Sequence, residues 1–248
     1  MSEFKELYSY DDISILPSYS DIRSRQEVDL SSVLDDKTIL KVPIITSPMN
    51  TISETLMAVA TDKLGGMSVI HRYNTIEHQV KLFTDAKKLG CQNIAVAVGT
   101  TGDYLERAEA LVKVGCDIIC IDVAHGHHIL VKEAIRAIKE KFSFQIHVMA
   151  GNVATGKAVR DLEDWGADSI RVLISNGSAC ETGIACGVGS PSFSTVLECA
   201  KAAKYAKIIA DGGIKNAGDI CKALGAGADF VMVGSLFSGT DETPGDII

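Results

Sequence analysis

No apolar run in this chain approaches the length needed to span a bilayer, and the N-terminal MSEFKELYSYDD lacks the basic-then-apolar build of a secretory leader. Both absences point to a soluble, cytoplasmic protein. Positive charge is also short: 24 Lys and Arg stand against 32 Asp and Glu, for a net charge of -8. A nucleic-acid partner is therefore not expected. The densest basic run, Lys132 to Lys141, is interrupted by Glu133 and Glu140 and reads as a solvated helix face. The seven cysteines, at 91, 116, 120, 180, 186, 199 and 221, are odd in number and include no C-x-x-C pair. That pattern argues against a disulfide scaffold or a structural zinc site and suits a reducing compartment. His125, His127 and His128 cluster, but no carboxylate stands at a metal-ligand spacing beside them, so no metal site is assigned. No break in composition divides the chain: 46% apolar and 23% charged residues describe one globular unit, 1–248, long enough for a large α/β barrel.

What is present is a regular alternation. From Val42 onward, short β-branched runs at 42–47, 67–70, 93–98, 117–122, 145–150, 169–174, 207–210 and 230–234 read as strands. Helical stretches at 52–64, 75–89, 104–114, 128–142, 157–165, 193–205 and 217–224 fall between them. A weak repeat supports the alternation: Val114-Gly115-Cys116-Asp117, Trp165-Gly166-Ala167-Asp168 and Ala226-Gly227-Ala228-Asp229 each put a helix-ending glycine and an aspartate before a buried strand. Eight strands joined by crossover helices predict a (β/α)₈ barrel, with a doubly wound open sheet as the rival. No helix is visible after the eighth strand, and Met1 to Asp36 reads as an extended lead-in covering one end of the fold.

In such a barrel, chemistry collects on the loops that follow strand C-termini. Those loops hold Ser47-Pro48-Met49-Asn50-Thr51, His71-Arg72-Tyr73, Asp122-Val123-Ala124-His125, Gly151-Asn152-Val153, Asp211-Gly212-Gly213 and Gly234-Ser235. The richest is RVLISNGSACETGIACGVGSP, 171–191: a strand, then Ser175-Asn176-Gly177-Ser178 with N–H groups suited to an anion, then Cys180, with Thr182 as a proton relay two residues on. A thiol beside such dipoles has a lowered pKa and is nucleophilic. The competing reading is an inert buried cysteine in a glycine-rich loop. No His–Asp pair can be tied to Cys180, so a hydrolase is unsupported.

The motifs YDDISILP, SPMNT, IDVAHGH, AGNVATG, NGSACET with CGVGSP, ADGGIKNAGDICKALGAGADFVMVGS and GTDETPGD together resemble the IMP dehydrogenase and GMP reductase family over nearly the whole chain. The resemblance implies a (β/α)₈ barrel that assembles as a homotetramer and performs redox or deaminating chemistry at purine C2 through a cysteine adduct. It implies Cys180 as the nucleophile and Thr182 as the residue assisting proton transfer. Ser47, Met49, Gly177, Ser178, Asp211, Gly212, Gly213, Gly234 and Ser235 would bind a purine nucleoside monophosphate. Asp122, with Ala124 and His125, would meet the nicotinamide cofactor, NADPH or NAD. Leu173 and Ser175 stand where the family has glycines, which argues against its monovalent-cation site and its usual loop path. Gly90 leads straight into Cys91-Gln92-Asn93, with no regulatory CBS modules between strands two and three, and this favours GMP reductase. Ser47-Pro48-Met49 looks like the dehydrogenase version and keeps IMP dehydrogenase as the alternative. The family continues past GTDETPGD into a flap and a closing helix, neither present in this chain. A third reading is therefore a truncated or degenerate purine-nucleotide-binding barrel without turnover, and little or no turnover is expected of these 248 residues alone.

Overall fold

The computed structural model describes residues 5–177 and 182–245. Two short strands come first, β1 (Ser32–Val33) and β2 (Ile39–Leu40), paired antiparallel. The next eight are β3 (Ile44–Thr46), β4 (Met67–Ile70), β5 (Ile94–Val98), β6 (Ile118–Asp122), β7 (His147–Val153), β8 (Ser169–Val172), β9 (Lys207–Asp211) and β10 (Phe230–Val233). They are parallel and close into a barrel in sequence order, with β10 pairing back onto β3 through Val231 and Ile44. Between them run α1 (Thr55–Lys63), α2 (Ile76–Lys88), α3 (Tyr104–Lys113), α4 (Ile129–Phe142), α5 (Gly156–Trp165), α6 (Thr182–Cys186), α7 (Ser192–Ala202) and α8 (Ala217–Gly225). The predicted (β/α)₈ barrel is the observed fold.

Local chemistry sets the helix ends. Thr75, Thr155 and Asn216 accept the amide hydrogens of His78, Ala158 and Asp219, capping α2, α5 and α8. Gly166 ends α5 in the left-handed conformation that a side chain disfavours. Several sequence boundaries needed correction: strand 42–47 is Ile44–Thr46, helix 52–64 is Thr55–Lys63, and α6 was not foreseen. Strand 145–150 is β7, starting at His147 after a 3₁₀ turn at Ser143–Gln145. Strand 169–174 stops at Val172, because Leu173 has φ 98° and leaves extended backbone. Helix 193–205 ends at Ala202, since Ala203 is extended.

The interior follows strand parity. Ile45, Met67, Val69, Ala95, Ala97, Ile118, Cys120, Met149, Ile209, Phe230 and Met232 face inward as one apolar cluster, which Leu34 and Leu40 join from the β1–β2 ribbon. Met67, Ile118 and Phe230 begin their strands, so the ribbon plugs the N-terminal end of the barrel. The lead-in thus does more than cover one end. Tyr10, buried, lies against Gly213 at the opposite end, its amide bonded to Ser192 Oγ and its carbonyl to Lys222 Nζ.

The plug is tied down by Asp35. Its Oδ1 accepts the amides of Lys37 and Thr38 at 2.9 and 2.8 Å, and its Oδ2 lies 3.0 Å from His147 Nδ1, whose Nε2 meets Ser169 Oγ at 2.8 Å. The order of contacts imitates a hydrolytic Asp–His–Ser relay, but Ser169 is wholly buried and no substrate reaches its hydroxyl. Burial pushes the Asp35 carboxyl up, yet His147 and the two amides outweigh it and hold the pKa down at about 2. A depressed carboxylate pKa adds stability above the unfolded value of about 3.9, and that stability is lost as pH falls through about 2. Asp35→Asn should therefore cost about 1–2 kcal/mol at pH 7, and its deficit against the parent should close between about pH 4 and pH 2. Urea unfolding across that range tests this. A deficit that does not change with pH would mean the tie is not ionic.

Candidate functional site

The parity that fills the barrel with apolar side chains changes chemistry at the C-terminal end. Two residues beyond Cys120, Met149, Ser169 and Ile209 on their strands come Asp122, Gly151, Arg171 and Asp211. Pairing sets Asp122 beside Gly151, and Gly151 beside Arg171. Arg171 is only 5% exposed. It donates from Nη1 to Asp122 Oδ1 at 2.6 Å, and from Nε and Nη2 to Asp211 Oδ2 at 3.0 and 2.7 Å. Asn152 Nδ2 adds a further bond to Asp211 Oδ2, at 2.8 Å. Burial alone would push the guanidinium pKa down, but the Asp211 and Asp122 charges prevail and raise it well above its ordinary value. Arg171 is thus a fixed buried cation that needs both acids.

Gly151 makes the room. A Cβ there would lie 2.5 Å from Arg171 Cβ and 2.8 Å from Arg171 O, so the close approach of β7 to β8 requires glycine. The Gly151–Asn152 peptide that follows is cis.

Above this layer opens a cleft of about 840 Å³, ample for a nucleotide. Of the residues expected at the site, Ser47, Met49, Gly177, Asp211, Gly212, Gly213, Gly234, Ser235, Asp122 and Ala124 line it. His125 does not; it is exposed on its loop, edge-on to His128. Ser178 and Cys180 lie outside the described residues, and Thr182 opens α6. Two turns meet at the rim: Gly212 has φ 112°, and a Cβ on it would come within 2.9 Å of Gly177 N. Gly234 packs somewhat less tightly on Met49 Sδ and Ser47 Oγ, at 3.2 and 3.3 Å from its Cβ position.

The loop bearing the cysteine departs from β8 through two left-handed residues, Leu173 at φ 98° and Ser175 at φ 69°. Both adopt the conformation glycine favours although neither is glycine. Space for Ser175 comes from glycines opposite: Cβ positions at Gly183 and Gly189 would stand 3.0 and 3.3 Å from Ser175 Cβ. Its Oγ donates to Val188 O at 2.6 Å.

Among the cleft residues with no assigned role in the sequence reading are Arg171, Asn152 and Arg72. Arg171 was legible in principle, as a charged residue on the inward parity of a buried strand. Arg72 sits with Nε 4.0 Å from Asp122 Oδ2 and its guanidinium over the Tyr73 ring; only the fold brings it to Asp122. Among the described residues no group of three His, Cys, Asp or Glu side chains could hold a metal ion, and no helix is long and apolar enough to cross a membrane.

Comparison with known proteins adds the lineage. The IMP dehydrogenase / GMP reductase domain matches residues 7–248. GMP reductase 1 of Mus musculus is 36% identical over 247 aligned residues, covering 96% of this chain and 71% of its own length. Inosine-5'-monophosphate dehydrogenase of Cryptosporidium parvum is 36% identical over 282 aligned residues, covering 96% of this chain and 69% of its own length. The dehydrogenase of Nitrosopumilus maritimus is 28% identical over 371 aligned residues, covering 99% and 78%. A barrel that gathers Asp122, Arg171 and Asp211 beneath paired glycine turns thus comes with matching sequence along nearly its full length, and the chain belongs to the IMP dehydrogenase / GMP reductase family of purine nucleotide oxidoreductases.

Proposed function

We propose that the protein is a GMP reductase, converting GMP and NADPH to IMP, ammonia and NADP⁺. The observation that carries this is the run of the alignments. The mouse reductase aligns over 247 residues while covering 96% of this chain, whereas the Cryptosporidium and Nitrosopumilus dehydrogenases need 282 and 371. The same economy appears in the fold, where α2 gives way to β5 within residues 89–93 and no module intervenes. IMP dehydrogenase is the second reading, favoured by Ser47-Pro48-Met49 and by the equal identity of the Cryptosporidium enzyme.

In this proposal the turns at Gly177–Ser178, Gly212–Gly213 and Gly234–Ser235 present backbone N–H groups to the nucleotide phosphate. Asp211 accepts from the substrate ribose, and Ser47 and Met49 border the base. The Cys180 thiolate adds to purine C2, the 2-amino group leaves as ammonia with a proton relayed by Thr182, and, once a hydride has been added at C2, departure of the thiolate completes IMP. The unpaired acceptor Asn152 Oδ1, buried beside Asp122, fits a cofactor with hydroxyl and amide donors. Asp122 and Ala124 would hold that cofactor, which supplies the hydride to C2. Spectrophotometry with GMP plus NADPH, and separately with IMP plus NAD, tests the direction. NADPH consumption in the first mixture alone is expected. NADH production in the second would make the dehydrogenase reading right. Calorimetry with GMP and guanosine tests the phosphate turns, which predict far tighter binding of GMP.

A further inference from the structure

We infer that Arg171 is a positioning residue that fixes the nucleotide half and the cofactor half of the cleft in one geometry. This rests on the proposed assignment of Asp211 to the nucleotide and Asp122 to the cofactor. The bonds are divided in a way that serves both. Among the described residues, every hydrogen bond to Asp211 falls on Oδ2, and the one to Asp122 falls on Oδ1. Asp211 Oδ1 and Asp122 Oδ2 are left to accept from ligand hydroxyls. Arg72 Nε faces the latter from 4.0 Å.

A carboxylate gripped by one oxygen aims the other in a set direction. Here one planar guanidinium grips both acids, so their free oxygens are set relative to each other as well as to the barrel. The group itself is immobile: Cys120 Sγ lies 3.4 Å beneath Nη1, and β7 passes so close that Gly151 carries no side chain. A lysine at this position would be a single point charge on a flexible stem, able to engage one acid well but not both at fixed geometry. Displacement of either acid is therefore transmitted through a contiguous, bonded group to the other, which is the physical requirement for coupling two binding events.

The test is calorimetry of GMP binding, and of NADP⁺ binding to GMP-saturated protein, a pair that does not react. Four variants are compared with the parent: Asp211→Asn, Asp122→Asn, Arg171→Gln and Arg171→Lys. The first should weaken chiefly GMP and the second chiefly NADP⁺. Arg171→Gln should weaken both, each by roughly tenfold or more, because two buried carboxylates lose their cation together, and Arg171→Lys should recover part of each. A residue that merely supported the fold would lower the melting temperature without moving both dissociation constants. A cooperatively melting Arg171→Gln protein with either affinity within about twofold of the parent overturns the inference. Should that variant fail to fold, Arg171→Lys decides: losses of about threefold or more in both affinities support the inference, and either affinity within about twofold overturns it. If Asp211→Asn leaves GMP binding intact, the site assignment fails and carries the inference down with it. If both acids behave as assigned and Arg171 does not, only the inference falls.

Discussion

Cys180→Ala is expected to lower GMP-dependent NADPH oxidation by the native protein by roughly 10⁴-fold, while GMP affinity stays within about threefold. The amino group at C2 is a poor leaving group from an aromatic ring, and a covalent adduct divides its displacement into two easier steps. No other thiol can take over. Cys91, Cys116, Cys120 and Cys199 are buried, and burial pushes each up to about 12. At neutral pH their thiolate fraction is then on the order of 10⁻⁵. Cys186 and Cys221 are exposed, but neither lines the cleft. Alkylation followed by mass spectrometry should thus label Cys180 first and GMP should protect it. Substantial turnover by the alanine variant, or labelling of Cys186 or Cys221 ahead of Cys180, would return Cys180 to the status of a bystander.

Gly151→Ala should cost roughly 3–5 kcal/mol, a large share of the stability of an ordinary domain. The added methyl would meet Arg171 Cβ at 2.5 Å, Arg171 O at 2.8 Å and Arg171 Cα at 3.2 Å. Two of these atoms are backbone in the adjacent paired strand, so no rotamer change gives relief. The strands must part, and the guanidinium then leaves Asp122 and Asp211 as incompletely matched buried charges. A fall in Tm of roughly 6–15 °C is the expected readout. A change within about 2 °C would mean that β7 and β8 can separate at little cost, contrary to the packing described.

Much of this architecture was readable because its signals were local. Glycine after a helix, an aspartate, then a β-branched run recur before β6, β8 and β10, and each announces its strand without any long-range information. The glycine turns at Gly212–Gly213 and Gly234–Ser235 fell on the rim for the same reason. What was less legible depended on who faces whom. Leu173 looks like one more strand residue until the backbone turns left-handed there. The β1–β2 ribbon offers only Ser32–Val33 and Ile39–Leu40, two residues a side, and its value lies in Leu34 and Leu40 entering a barrel mouth that the local sequence cannot foresee. His125 sits in a motif whose neighbours Asp122 and Ala124 reach the cleft, but the loop turns it outward. Arg171 was hidden differently: its meaning comes from Asp122 on β6, across β7, and from Asp211 on the adjacent β9, far apart in sequence.

The seam where Val231 pairs with Ile44 has a consequence for synthesis. Contacts between segments far apart in sequence form slowly, because the loop they close costs the most entropy. On a ribosome, Ile44–Thr46 emerges long before Phe230–Val233. Throughout elongation the growing sheet therefore presents an unpaired parallel edge at β3, of the kind that recruits other chains. Closing the barrel removes both edges in a single event and, in the same stroke, turns an aggregation-prone nascent chain into one with no free strand edge in its barrel.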